Sequence, residues 1–174
     1  MPKSTIMNKV EVIKTLAEAG HSGQYRFGPG HVPYIEHPKA VVELLKSWGV
    51  NDDLTLCTGW AHDLFEDTDI TAEDIHEALN DDPFADSLVE NVMMLTNPDE
   101  EHKAEHIAEI AAKGTQTAIL VKCADRICNT RDFIEAGRIN KATRYFRDGN
   151  PVYDAVLNYK AKEDIIAMRG QLFD

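Results

Sequence analysis

The sequence predicts an all-α protein, a single domain over residues 1–174 built as a bundle of about eight or nine helices. Glycine, proline and helix-capping residues divide the chain into helix-length pieces. Within these pieces apolar residues recur every three or four positions, and we find no convincing two-residue alternation of the kind that marks a strand. A chain of 174 residues, of which 43% are hydrophobic, is also long enough to bury one core.

Residues that start and stop helices define the first four elements. Pro38 suits the first turn of the second helix, Asp52 or Asp53 can cap the third, and Thr71 with Asp74 resembles a capping box. These signals predict a helix over 7–19 that Gly20 ends, a helix from near Pro38 to just before Gly49, a third helix that carries residues 60–65, and a short fourth helix after Thr71.

The second half of the chain predicts five further helices. Asp82-Pro83 opens the fifth, and glycines end the next two. The helix over 115–136 is the most apolar, so we expect it to lie at the centre of the bundle. In order, these elements are the fifth helix with Leu88, Val92 and Leu95 inward, a polar helix over 100–113, the apolar helix over 115–136, and two helices near 139–147 and 151–172.

Charge and cysteine content limit the classes of partner. The formal net charge of −12 argues against a broad nucleic-acid surface or an anionic-membrane surface. A small phosphorylated substrate remains compatible, because a bound metal and a few cations can reverse the local field. The three cysteines suggest no disulfide framework, and residues 1–5 lack the apolar core of a signal peptide. We therefore expect a cytoplasmic protein that does not cross a membrane.

The segment that contains His62, Asp63, Glu66 and Asp67 is the most informative for chemistry. On a helix these side chains crowd one broad face. Three carboxylates and an imidazole in one place repel one another and are costly to bury without a cation. A metal site is one interpretation, and a solvated acidic helix end is the other.

Two other segments favour the metal site. His37 lies at the start of a helix, and Asp125 follows the apolar run 118–121 inside another. A carboxylate in such a place is buried or half-buried and needs a partner. That partner is a metal ion or one of its neighbours, Lys122 or Arg126.

The order His37, His62-Asp63, Asp125 resembles the metal signature of the HD phosphohydrolases, which are helical bundles. Within that family the chain is similar to the hydrolase domain of the RelA/SpoT alarmone enzymes, especially the small stand-alone metazoan SpoT homologues. The matching segments are 19–26 with 33–38, then 61–68, which fits H-D-x-x-E-D-T, and 122–132, which fits K-x-A-D-(K/R)-x-x-N-x-R-D.

The resemblance implies a role for each matching residue. Two imidazoles and two carboxylates form a mixed shell that suits Mn²⁺, the metal typical of this family. The implied metal ligands are His37, His62, Asp63 and Asp125; the implied catalytic groups are Glu66 and Asp67; and the implied substrate-binding residues are Arg26, Asn129 and Tyr159.

The reaction implied by the resemblance is hydrolysis of ppGpp or pppGpp, the alarmones of the stringent response. A metal-activated water removes the 3′-pyrophosphate and leaves GDP or GTP. Phe27 departs from the pattern, because the family usually has Lys or Arg directly after the equivalent of Arg26. This departure leaves open an HD hydrolase for another nucleotide, such as an adenosine alarmone or the 2′-phosphate of NADPH. A non-catalytic regulatory protein on an HD scaffold is a further alternative, and the sequence leaves the oligomeric state open.

Overall fold

A computed structural model describes residues 7–97 and 99–174, and eleven helices lie in this part of the chain. Residues 1–5, on which the argument against a signal peptide rests, lie outside it. The helices are α1 (Lys9–Gly20), α2 (Glu36–Ser47), α3 (Asp53–Ala61), α4 (Leu64–Asp67), α5 (Ala72–Ala78), α6 (Phe84–Leu95), α7 (Lys103–Lys113), α8 (Gln116–Glu135), α9 (Ile139–Asp148), α10 (Asn150–Asp154) and α11 (Ala161–Phe173).

The predicted helix starts agree with the observed caps. The side chain of Asp52 accepts the backbone N–H of Thr55 at the start of α3. Thr71 and Asp74 form a reciprocal capping box at the start of α5, with Asp in the position where Glu is usual. The side chains of Asp82 and Thr115 likewise accept backbone N–H groups where α6 and α8 begin.

The third predicted helix is interrupted, which corrects the prediction of one continuous element. It divides into α3 and α4 at His62 and Asp63. Asp63 has φ −100° and ψ 0°, and the ring Nδ1 of His62 bonds the backbone oxygen of Gly59 at 2.7 Å. The break turns both side chains toward the same point in the bundle.

The last predicted helix is also two helices, α10 and α11, separated by residues 155–160. In this segment the backbone N–H groups of Val156 and Tyr159 bond carbonyls three residues back rather than four. The tighter turn buries Val156 completely in the core. The two interruptions explain why eleven helices replace the predicted eight or nine.

Helix α8 is central, as predicted. It packs against α2, α3, α6 and α9, and its interior residues, including Ala124 and Ile127, are fully buried. Outside the helices, the described residues contain an isolated bridge between Tyr25 and Pro33, which closes the loop between α1 and α2. No helix in the described ranges is both long and apolar enough to cross a membrane.

Candidate active site

The four predicted metal ligands come from three parts of the bundle. His37 lies in the first turn of α2, His62 and Asp63 form the break between α3 and α4, and Asp125 lies in the middle of α8. Because α2 and α3 both pack against α8, residues up to 88 positions apart meet in one place. Three of the side chains are buried, and Asp63 is largely buried.

The histidine nitrogens and carboxylate oxygens of these residues converge. Nε2 of His37 lies 2.8 Å from Oδ1 of Asp125 and 3.7 Å from Oδ2 of Asp63. Nε2 of His62 lies 3.2 Å from the same Asp63 oxygen and 3.4 Å from the same Asp125 oxygen. Two nitrogen and two oxygen donors therefore face one another, as they do around a shared cation.

The surroundings of His62 fit a metal ligand. Its Nδ1 donates to the carbonyl of Gly59, so Nε2 is the nitrogen that is free to coordinate a metal when the ring is neutral. Nε2 of His62 is buried, and among the described residues no group forms a hydrogen bond with it. Burial acts to lower the pKa of His62, but the charges of Asp63 and Asp125 raise it well above its ordinary value. The site therefore favours positive charge, which a divalent metal supplies in place of a proton.

The predicted catalytic carboxylates lie beside this cluster. Carboxylate oxygens of Asp63, Glu66 and Asp67 lie within 4.8 Å of one another. Burial raises the pKa of Glu66, and the backbone N–H of Asn97, which Glu66 accepts, acts in the opposite direction. Burial and the charge of Asp63 raise the pKa of Asp67. Both carboxylates are thus better bases than their exposed counterparts.

The sequence left a choice among partners for Asp125, and the structure distinguishes them. Nζ of Lys122 lies 3.6 Å from Oδ2 of Asp125, whereas Arg126 is directed elsewhere. The guanidinium of Arg126 lies 3.7 Å from the centre of the Tyr145 ring and donates to the backbone oxygen of Tyr145. Oδ1 of Asp125 faces the two histidines, so Lys122 alone does not account for this carboxylate.

Asn129 connects the metal cluster to Arg26. Its amide nitrogen donates to Asp125 at 3.0 Å and to the hydroxyl of Tyr145 at 2.9 Å. Its amide oxygen accepts from Arg26 at 2.6 Å, and the same Arg26 nitrogen donates to Asp132 at 2.8 Å. Arg26 is therefore held within the network that also orients Asp125.

An open cleft lies over the cluster. Tyr159 does not line it, because the turn over 155–160 packs this side chain against the core instead. Tyr145 of α9 lines the cleft but is not among the site residues that the sequence predicts. Six of the predicted site residues line the cleft, namely His62, Asp63, Glu66, Asp67, Asp125 and Asn129. Its wall also contains polar residues that were not predicted, namely Tyr34, Asn97, Glu100, Lys103, His106 and Lys122.

Comparisons with known proteins agree on one type of domain. A family model described as an HD domain matches residues 14–158. A probable guanosine-3′,5′-bis(diphosphate) 3′-pyrophosphohydrolase of Synechocystis is 37% identical over 132 residues, which are 72% of this chain and 17% of the relative. The enzyme of the same name, MESH1, from Xenopus tropicalis is 37% identical over 114 residues, 64% of this chain and 62% of the relative.

One solved structure has a similar fold throughout. It is a metazoan orthologue of SpoT that is reported to hydrolyse ppGpp, and it superimposes with a TM-score of 0.80. The superposition covers 97% of both chains at 23% sequence identity. The two proteins therefore share a helical architecture over nearly their whole lengths.

Proposed function

The chain belongs to the HD-domain family, and from this premise we propose that it is a metal-dependent phosphohydrolase acting on ppGpp and pppGpp. The reaction would release pyrophosphate from the 3′ position and leave GDP or GTP. The observation that supports this proposal best is the convergence of His37, His62, Asp63 and Asp125 next to two further carboxylates in an open cleft. Relatives named for this activity share more than a third of their aligned residues with the chain.

We propose Mn²⁺ as the native metal, held by His37, His62, Asp63 and Asp125. When bound, a divalent ion supplies a Lewis acid that lowers the pKa of water and offsets negative charge on phosphate oxygens. Two of the four donors are imidazole nitrogens. Such a set is less suited to Mg²⁺ or Ca²⁺, which prefer oxygen ligands.

Residues of the chain then activate and orient the attacking water. Glu66 accepts a proton from the attacking water, and Asp67 orients that water. The water oxygen bonds to the phosphorus next to the ribose, the bond from that phosphorus to the 3′-oxygen breaks, and a proton passes to the 3′-oxygen. No covalent intermediate with the protein is required.

Substrate contacts follow from the wall of the cleft. Asn129 and Tyr145 present polar groups beside the metal cluster, and Lys103 and Lys122 supply positive charge for phosphate. Arg26 acts from behind Asn129, through their hydrogen bond. A role for Tyr159 in nucleotide binding has no support from its position. The nucleotide substrate and the charge of the chain are consistent with a cytoplasmic enzyme that binds neither nucleic acid nor membrane.

A nucleotide panel tests this function. Protein stripped of metal by a chelator is incubated with ppGpp, pppGpp, an adenosine alarmone or NADPH, with and without Mn²⁺. We expect pyrophosphate and GDP from ppGpp only when Mn²⁺ is present. Phosphate from NADPH, or turnover of the adenosine alarmone without turnover of ppGpp, would reassign the substrate. Metal binding without turnover of any nucleotide would favour a regulatory protein.

A further inference from the structure

Asp67 is held by residues of the loop that joins α1 to α2. Nε2 of Gln24 donates to the backbone oxygen of Asp67 at 2.6 Å. The hydroxyl of Tyr34 lies 3.1 Å from Oδ2 of Asp67. Among the described residues, this is the one hydrogen bond that the side chain of Asp67 makes. The exposed carboxylate of Asp67, on a helix of four residues, is thus fixed from outside its own helix.

The ring of Tyr34 is itself fixed. It stacks on His21 with ring centres 4.7 Å apart, and Nδ1 of His21 lies 2.9 Å from Oε1 of Gln24. The backbone N–H of Tyr34 donates to the backbone oxygen of Gln24 at 2.8 Å. His21, Gln24 and Tyr34 therefore form one unit, which we call the Tyr34 clamp, with two contacts to Asp67.

The hydroxyl of Tyr34 has two acceptors and one proton. It lies 2.7 Å from Oδ2 of Asp63 as well as 3.1 Å from Asp67. This Asp63 oxygen is the one that faces Nε2 of His62 at 3.2 Å, so it is the oxygen directed toward the proposed metal. A cation there draws electron density from Asp63 and makes it the weaker acceptor of the two.

We propose that Tyr34 is a positioning residue, whose hydroxyl donates to Asp67 in the metal-loaded enzyme and holds that carboxylate against the attacking water. This inference rests on the proposed function, since it assigns the partner of a group in the same site. It also gives a reason for the clamp, because Asp67 has no other side-chain partner in the described part of the chain. A carboxylate free to rotate would orient water poorly.

Tyr34→Phe tests the clamp, because it removes the hydroxyl and keeps the ring against His21. We expect kcat to fall by about 10–100-fold, the range for losing one hydrogen bond to a charged group. KM and the dissociation constant for Mn²⁺, measured by calorimetry, should each stay within about threefold of wild type, since the ligands are untouched. Tyr25→Phe is the matched control, because Tyr25 belongs to the same loop but its ring stacks on His31.

A double-mutant cycle identifies the partner of the hydroxyl. In an Asp67→Ala background, Tyr34→Phe should cost less than about twofold in kcat, because its acceptor is already gone. If Tyr34→Phe lowers kcat as much in the Asp67→Ala background as in wild type, the hydroxyl acts on Asp63 and the proposal is overturned. The same conclusion follows if Tyr34→Phe weakens Mn²⁺ binding by tenfold or more, as the loss of a ligand's outer partner does. An unchanged kcat in the single variant would also overturn the proposal. The assays use whichever nucleotide the wild-type protein hydrolyses, so the role of Tyr34 can be tested even if the substrate is not ppGpp. A wild-type protein that hydrolyses no nucleotide would overturn both the proposed function and the role of Tyr34.

Discussion

Replacing Glu66 by Gln removes the charge of one cleft carboxylate and keeps its shape. In the structure an oxygen of Glu66 accepts the backbone N–H of Asn97. The amide oxygen of Gln can accept the same N–H, so the link between α4 and the segment after α6 survives. Glu66 is also outside the set of nitrogen and oxygen atoms that surround the proposed metal. Fold and metal binding should therefore persist.

The expected loss is in turnover. An amide cannot accept a proton from water, so the variant forfeits the contribution of a general base, which is typically about 10²–10⁴-fold in rate. Burial raises the pKa of Glu66 and makes it a stronger base than an exposed glutamate, so we expect kcat to fall by at least about 100-fold. Substrate binding does not use this proton transfer, so KM should change little.

Steady-state kinetics on ppGpp with saturating Mn²⁺ measure both parameters. Calorimetry of Mn²⁺ binding and a thermal melt check that the site and fold are intact. Glu90→Gln is a suitable control, because Glu90 is exposed on α6 and the change alters net charge equally. A Glu66 variant that turns over like wild type would refute the assigned role, and one that loses Mn²⁺ would show that Glu66 belongs to the metal shell.

Two further substitutions probe the metal and the substrate. Asp63→Asn should weaken Mn²⁺ binding, measured by calorimetry, by more than the roughly 10–100-fold that follows loss of a ligand's outer partner. Activity at limiting metal should fall with the affinity, and an unchanged affinity would remove Asp63 from the ligand set. Phe27 stacks on Phe133 with centres 4.5 Å apart and lies 4.6 Å from the guanidinium carbon of Arg26. Phe27→Lys adds a cation for phosphate, so KM for ppGpp should fall about 2–5-fold, the scale of an exposed ion pair, with less change in kcat; a KM that rises would mean that the ring packing matters more.

Most helix boundaries follow from local signals that sequence carries directly. Thr71 with Asp74, and Thr115 before the apolar run, are capping residues whose hydrogen bonds form within one turn. The apolar helix predicted over 115–136 is observed as α8, Gln116–Glu135, at the centre of the bundle. Such features need no knowledge of the partner helices.

The interruption at His62 and Asp63 was not predictable in the same way. Leu64 is fully buried, so the apolar pattern of α3 continues past the break. The break depends on the bond from His62 to Gly59 and on the approach of His37 and Asp125 from other helices. Hydrophobic periodicity reports which face is buried, but it does not report a local change in backbone direction.

The site shows the same difference between features that local sequence predicts and contacts between distant segments. The resemblance named residues whose side chains the structure brings together, and the metal assignment remains a proposal for experiment. Tyr145 was missed because its place in the cleft depends on the guanidinium of Arg126 behind its ring and on Asn129, 16 residues away. The resemblance implied a role for Tyr159 in substrate binding, but its turn packs this partly buried side chain against the core. Both errors concern contacts between distant segments.

The central claim is that His37, His62, Asp63 and Asp125 bind one divalent metal. Electron paramagnetic resonance of Mn²⁺ titrated into metal-free protein tests it most directly, because couplings to imidazole nitrogen report the ligands without any assay of activity. We expect one tightly bound Mn²⁺ per chain with two nitrogen ligands, and one such ligand in His62→Ala together with weaker binding. Binding without nitrogen couplings, or the same spectrum and affinity in the His62 variant, would contradict the account.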